Sequence, residues 1–251
     1  MLDSGEHRGR TAVVTGRSGS IGTALAGRLL SEGAKVFFLD PKAEAGSGGG
    51  DGISDALPMT SLRVDVSHEA DVDRAFETVA SDEARIDYLV YCPTTFSRRA
   101  FLDLDPEEWT RTLHTNLTGA FLCCRSSLRY MRAKKFGRIV LFSSILARTG
   151  SVNGAHYATA TGGILGLART LALEVAHENI RVNTVSPGVM EVPQSMASLS
   201  NADSAAPGVQ IPLGRIGRVE DMVEACLFLL NDESSYFTGQ DIRVNGGAPL
   251  W

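Results

Sequence analysis

The sequence predicts an α/β fold, a doubly wound parallel sheet with helices on both faces. Three observations carry this. Short apolar runs alternate with longer helical segments along the 251 residues. The runs are continuously apolar, the pattern of strands buried on both faces, not the alternation of a half-exposed sheet. A glycine-rich turn follows the first run and opens a helix, the start of a βαβ unit.

The elements follow in order. Thr11–Thr15 (TAVVT) is a strand, and a helix of roughly 21–32 ends at Gly33, a C-cap. Lys35–Asp40 is the second strand and Leu62–Val66 the third. Ser67 is placed to N-cap a helix running to about 83. Ile86–Cys92 is the fourth strand. Asp105-Pro106 is a cap followed by a first-turn proline, opening a long helix through about Lys134. Arg138–Ser143 is the fifth strand, followed by a helix of roughly 155–177 and the strand Arg181–Ser186. Val219–Leu230 is helical and Asp241–Val244 a final strand. Residues 42–60 read as a flexible glycine-rich surface loop, and 191–212 as a Ser/Ala/Pro-rich loop. No internal repeat or linker appears, so residues 1–251 are expected to form one domain.

Composition narrows the function. Net charge is −5, with 43% hydrophobic and 21% charged residues. Nothing here calls for a nucleic-acid or anionic-membrane partner. The stretches 162–176 and 222–230 are short and broken by charges, and the N-terminus lacks an apolar leader, so a cytoplasmic protein is expected. Cys92, Cys123, Cys124 and Cys226 form no CxxC pair and no zinc-type spacing, so no metal is expected and the thiols read as reduced core residues. Of 24 basic residues only four are lysine: Lys35, Lys42, Lys134 and Lys135.

Thr15–Gly22 (TGRSGSIG) places Gly16, Gly19 and Gly22 between a strand and a helix. Such a turn lets the backbone approach a pyrophosphate at a helix N-terminus, with Ile21 beside the last glycine. Many βα turns use glycine for sterics alone. Asp40 ends the second strand, 18 residues after Gly22, where a carboxylate accepts hydrogen bonds from an adenosine ribose and repels a 2′-phosphate. That favours NAD over NADP. Asp40 can equally serve as a turn residue before Pro41. Arg17 is either a phosphate partner or a solvated loop arginine.

With these residues the chain resembles the short-chain dehydrogenase/reductase family in its classical-length form, over nearly its whole length. The matching motifs are the TG…G…G loop, Asp65-Val66, Asn116, Ser143-Ser144, Tyr157 13 residues after Ser144, Asn183, Pro187-Gly188, PLGRIGRVED and SSYFTGQDIRVNGG. The resemblance implies a Rossmann-type sheet and hydride transfer between a nicotinamide and a small alcohol or ketone. It implies that Tyr157 is the general acid/base, that Ser144 hydrogen-bonds the reacting oxygen, and that Asn116 orders a proton-relay water. Asp65, Val66, Pro187 and Gly188 fall at cofactor-contact positions. The family assembles as homodimers or homotetramers.

The chain departs from the family where the tyrosine is activated. An unperturbed phenol near pKa 10 is a poor base at neutrality. The family places a lysine four residues after the tyrosine, one turn along the same face. Here that position is Thr161, which can hydrogen-bond a ribose but carries no charge. Arg148 or His156 could supply charge instead, or simply be a surface arginine and a histidine facing elsewhere. Ser20 replaces a glycine, Tyr91-Cys92-Pro93-Thr94 replaces Asn-Asn-Ala-Gly, and Val192 replaces a threonine near the carboxamide. These changes fall around one ligand, so redox catalysis is expected to be weakened, changed or lost, and a bound cofactor is not assured.

Three functions compete. The first is an NAD(P)-dependent oxidoreductase. The second is a catalytically silent binding or structural subunit, partnered with itself or with an active paralogue. The third is a non-redox elimination, isomerisation or cyclisation, with Ser144 and Tyr157 as hydrogen-bond donors. Met196, Leu199, Val209 and Ile211 read as an apolar lid or as ordinary packing. Arg98 and Arg99 can meet an acidic substrate or stay solvated.

Overall fold

A computed structural model describes residues 7–16, 20–43, 59–92, 95–193 and 211–248. Seven strands form one parallel sheet in the order β3-β2-β1-β4-β5-β6-β7. They are β1 (Thr11–Thr15), β2 (Lys35–Asp40), β3 (Thr60–Arg63), β4 (Tyr88–Tyr91), β5 (Gly137–Phe142), β6 (Ile180–Pro187) and β7 (Asp241–Val244). The register aligns Val13 with Phe37 on one side and with Leu89 on the other. Successive side chains of a strand point to opposite faces, so each strand feeds two cores. Val13, Phe37, Leu89, Ile139 and Val182 belong to one core. Val14, Phe38, Val90, Val140 and Val185, an odd number of residues further along the same strands, belong to the other.

The first core is covered by α2 (Glu69–Glu83), α4 (Gly119–Lys134) and α6 (Ala155–Val175), through Phe76, Cys123 and Ile164. The second is covered by α1 (Ser20–Ser31) and α7 (Val219–Leu230), through Leu25, Leu29, Met222 and Cys226. Each such aliphatic side chain contributes about 1.5–3 kcal/mol by burial. All four cysteines are buried and free.

Several boundaries differ from expectation. The third strand is Thr60–Arg63 and not Leu62–Val66, because the chain turns at Asp65, whose carboxylate accepts from Ser67 N and from Ser67 Oγ. That bond takes Ser67 away from capping, and the N-cap of α2 is His68, with no side-chain bond. The fourth strand begins at Tyr88 and ends at Tyr91. Asp105 caps α3 (Pro106–Leu113) through Glu107 N, with Pro106 in the first turn. The long helix then passes through a π turn, His114–Thr118, before α4. A short helix, α5 (Leu146–Thr149), was not expected. Most of the loop expected at 42–60 and of the lid at 191–212 lies outside the described residues, as do Arg17, Gly19, Pro93, Thr94, Met196, Leu199 and Val209.

Candidate active site

The C-terminal ends of β1, β4, β5 and β6 converge at the point where strand order reverses, between β1 and β4. In open parallel sheets this crevice is the ligand site. Gly22, buried in the first turn of α1, has no room for a side chain. A Cβ there would lie 2.9 Å from the Gly16 carbonyl oxygen and 3.0 Å from Cys92 Sγ. Cys92 Sγ donates to the Thr15 carbonyl at 2.8 Å, tying β4 to β1 under the turn.

Asp40 is buried at the end of β2, and its carboxylate accepts from Lys42 N at 2.7 Å. It therefore has the local turn bond expected of a residue before Pro41. Asp65 is exposed beside buried Val66. Partial burial opposes its ionisation, but the Ser67 bonds outweigh that and hold its carboxyl below the usual range. Ile21 packs partly against the second core. The Pro187 carbonyl accepts from Ile145 N, and Gly188 N donates to Val244 O. Val192 packs partly against the second core.

Ser144 follows β5, where its Oγ accepts from Leu146 N at 3.1 Å and opens α5. Tyr157 lies in the first turn of α6, with the Ser144 hydroxyl near its phenol. Burial pushes the phenol up, and the nearby Ser144 hydroxyl partly opposes that shift. Among the described residues no lysine or arginine acts on it. Arg148 instead pairs with Asp241 at 3.2 Å, and His156 Nε2 meets Ser97 Oγ at 2.9 Å. Thr161 Oγ1 donates to the Tyr157 carbonyl at 2.9 Å, back into its own helix. Ser143 Oγ in turn donates to the Thr161 carbonyl.

Asn116 is buried in the π turn, and its amide is bonded twice to one residue. Nδ2 donates to Thr95 O at 2.8 Å, and Oδ1 accepts from Thr95 N at 3.0 Å. This fixes the segment after β4. Next along, Phe96 packs edge-on against Tyr157, with ring centroids 4.9 Å apart. Sequence reasoning missed Phe96, and no local pattern marks it. Arg99 is paired with Glu108, while Arg98 is exposed.

The enoyl-(acyl carrier protein) reductase family model matches residues 16–249. The chain belongs to the short-chain dehydrogenase/reductase family. FabG of Salmonella typhimurium, a 3-oxoacyl-(acyl-carrier-protein) reductase, is 34% identical over 241 residues, 95% of this chain and 97% of its own. The Aquifex aeolicus protein of the same name is 35% identical over 242 residues, 96% and 97%. The levodione reductase structure superposes with a TM-score of 0.87 at 27% identity, covering 96% of this chain and 97% of that one. A Brucella melitensis structure named ribose-5-phosphate isomerase gives 0.88 at 30% identity, covering 98% and 94%. These matches place the chain among the oxidoreductases of this family, with its Rossmann-type sheet. The two structures carry the names of different reactions, so the shared sheet does not choose the substrate. Among the described residues no helix is long and apolar enough to cross a membrane.

Proposed function

We propose that this short-chain dehydrogenase/reductase reduces a ketone at the expense of a nicotinamide dinucleotide, with Ser144 and Tyr157 as the reacting pair. What carries the reading is the burial of Tyr157 and Ser144 together, with the Ser144 hydroxyl near enough to the phenol to favour its ionised form. A neutral phenol is a competent proton donor and a poor base, so the pair suits reduction better than alcohol oxidation.

The residues on the β1 side fit a dinucleotide. Buried Gly22 lets α1 pack close on β1 and β4, which brings the helix N-terminus to where a pyrophosphate would sit, and Asp40 ends β2 at the ribose position, favouring NAD over NADP. Asp65 and Val66 stand on the adenine side, and Pro187 and Gly188 on the nicotinamide side. Gly16 and Ile21 flank the turn, and Gly19 joins the binding set on its sequence position alone. A reduced nicotinamide supplies the hydride when bound. Ser144 hydrogen-bonds the carbonyl oxygen, and Tyr157 gives that oxygen its proton. Tyr157 then recovers a proton from solvent without a neighbouring ammonium. Thr161 offers a ribose no free hydroxyl proton, because that proton goes to the Tyr157 carbonyl. The relatives' names point to a 3-oxoacyl thioester as the substrate class. A cytoplasmic homodimer or homotetramer accompanies this reading.

The test is loss of reduced-nicotinamide absorbance with a ketone panel that includes a 3-oxoacyl thioester. Turnover that Tyr157→Phe abolishes supports the reading, and binding without turnover contradicts it. The turned-away Thr161 hydroxyl favours a second reading, a silent subunit that stabilises an active paralogue. Co-purification of that paralogue from the native source would support it.

A further inference from the structure

We propose that Tyr91 is a positioning residue for Tyr157, acting through the π turn and the segment Thr95–Ser97. This rests on the proposed reductase reading of the Ser144–Tyr157 pair and adds a residue that the reading does not contain. Tyr91 is the last residue of β4, and its side chain is fully buried in the first core. Its hydroxyl leaves that core and donates to the Thr115 carbonyl at 2.5 Å, inside the π turn. Burial pushes the phenol well up, so it remains a donor throughout the working pH range.

The room for that hydroxyl comes from one residue. A Cβ on Gly119 would collide with the Tyr91 hydroxyl and lie 3.0 Å from the Val66 carbonyl oxygen. Tyr91 and Gly119 are therefore a matched pair, a large polar side chain on the strand facing an absent one on the helix. The π turn between them widens the helix where Asn116 projects.

The chain of contacts continues without a break. The Asn116 amide holds both backbone groups of Thr95. Phe96 packs on the Tyr157 ring, and Ser97 Oγ bonds both His156 Nε2 and, at 2.6 Å, Glu108 Oε1. His156 precedes Tyr157 on α6. The Tyr91 hydroxyl thus fixes the turn, the turn fixes Asn116, and Asn116 fixes the segment that orients the Tyr157 ring. Closely packed neighbours transmit such a displacement, and a misplacement near 1 Å suffices to slow chemistry strongly.

The experiment uses the whole protein and the variant Tyr91→Phe, which keeps the ring and removes the bond. Ketone-reduction kcat is expected to fall about tenfold, with the KM for reduced nicotinamide held within about twofold. Hydrogen exchange at the Thr95 amide is expected to quicken about tenfold or more, while amides of β1 and β5 keep their protection. Gly119→Ala attacks the same bond from the helix side and decides the matter if Tyr91→Phe does not fold. In the double variant the Tyr91 hydroxyl is already gone, so Gly119→Ala adds only its close approach to Val66, and the two effects are expected to be less than additive. Unchanged Thr95 exchange in both single variants overturns the proposal, and so does a uniform loss of protection across the sheet. Exchange needs no turnover, so an inactive wild type would refute the reductase reading and leave the positioning role still decided by Thr95.

Discussion

The Thr161 hydroxyl donates to the Tyr157 carbonyl one helical turn earlier, at 2.9 Å. The residue at the position where the family resemblance implies a lysine is thus turned into its own helix, as buried threonines commonly are. Tyr157 is left with burial and the Ser144 hydroxyl as the influences on its ionisation among the described residues. Thr161→Lys should reverse this. An ammonium one turn along the same face favours the phenolate, so the pH profile of alcohol oxidation should move to lower pH. Oxidation at pH 7 should rise by about tenfold or more. Initial-rate profiles of both proteins check it, and superimposable profiles would count against the placement of the pair.

The wild-type profile has a definite sign. Reduction uses the protonated phenol, which predominates below its raised pKa, so its rate should stay flat from about pH 6 to pH 9. Oxidation needs the phenolate and should climb with pH past about 10, the ordinary value for tyrosine. A bell centred near neutrality would show that another group activates Tyr157.

Removing the reacting groups should cost rate more than binding. Tyr157→Phe should lower kcat by about 10²–10⁴, and Ser144→Ala by about ten- to a hundredfold, with little change in dinucleotide affinity. Their effects should not add, because the two hydroxyls act on one oxygen. Steady-state kinetics beside dinucleotide titration separates the two quantities.

Gly22→Ala should weaken dinucleotide binding by about tenfold or more and destabilise the fold by about 1–3 kcal/mol. The added methyl meets Gly16 O at 2.9 Å and Cys92 Sγ at 3.0 Å, so the turn or β4 must shift. Calorimetric titration and denaturant unfolding measure the two effects.

Alkaline stability follows from buried acids. Burial raises the Cys92 and Cys124 thiols from 9.0 to about 12, and the Tyr88 phenol from 10.0 to about 12. Unfolding returns these groups to their ordinary values, so the unfolded chain loses protons first. Their stabilising effect is complete below pH 9 and is lost as pH rises from about 9 to about 12. Denaturant midpoints should be level between pH 7 and pH 8.5 and fall steadily above that.

Strand and helix order was legible because every central strand is buried on both faces and so reads as an apolar run. Thr11–Thr15, Lys35–Asp40 and Asp241–Val244 fall where expected. Edge strand β3 was not legible at its start, since Thr60 and Ser61 pair with Phe37 and Phe38 without an apolar signature. Ser67 satisfied the composition of a cap, yet an acidic neighbour took its hydroxyl. A helical period cannot reveal one extra residue per turn, so the π turn at Asn116 lay hidden inside an otherwise regular pattern. Within the site, the nearness of Ser144 and Tyr157 was foreseeable from their spacing in a known framework. The packing of Phe96 on Tyr157 and the bond from Tyr91 to Thr115 were not, because each joins segments that only the folded sheet brings together.

The most direct test is oxidation of NADH, with NADPH in parallel, against a ketone panel containing a 3-oxoacyl thioester at pH 7, for the wild type and Tyr157→Phe. Ketone-dependent loss of absorbance is expected in the wild type, faster with NADH, and none in the variant. Bound dinucleotide with no turnover on any ketone, or turnover that survives Tyr157→Phe, would contradict it.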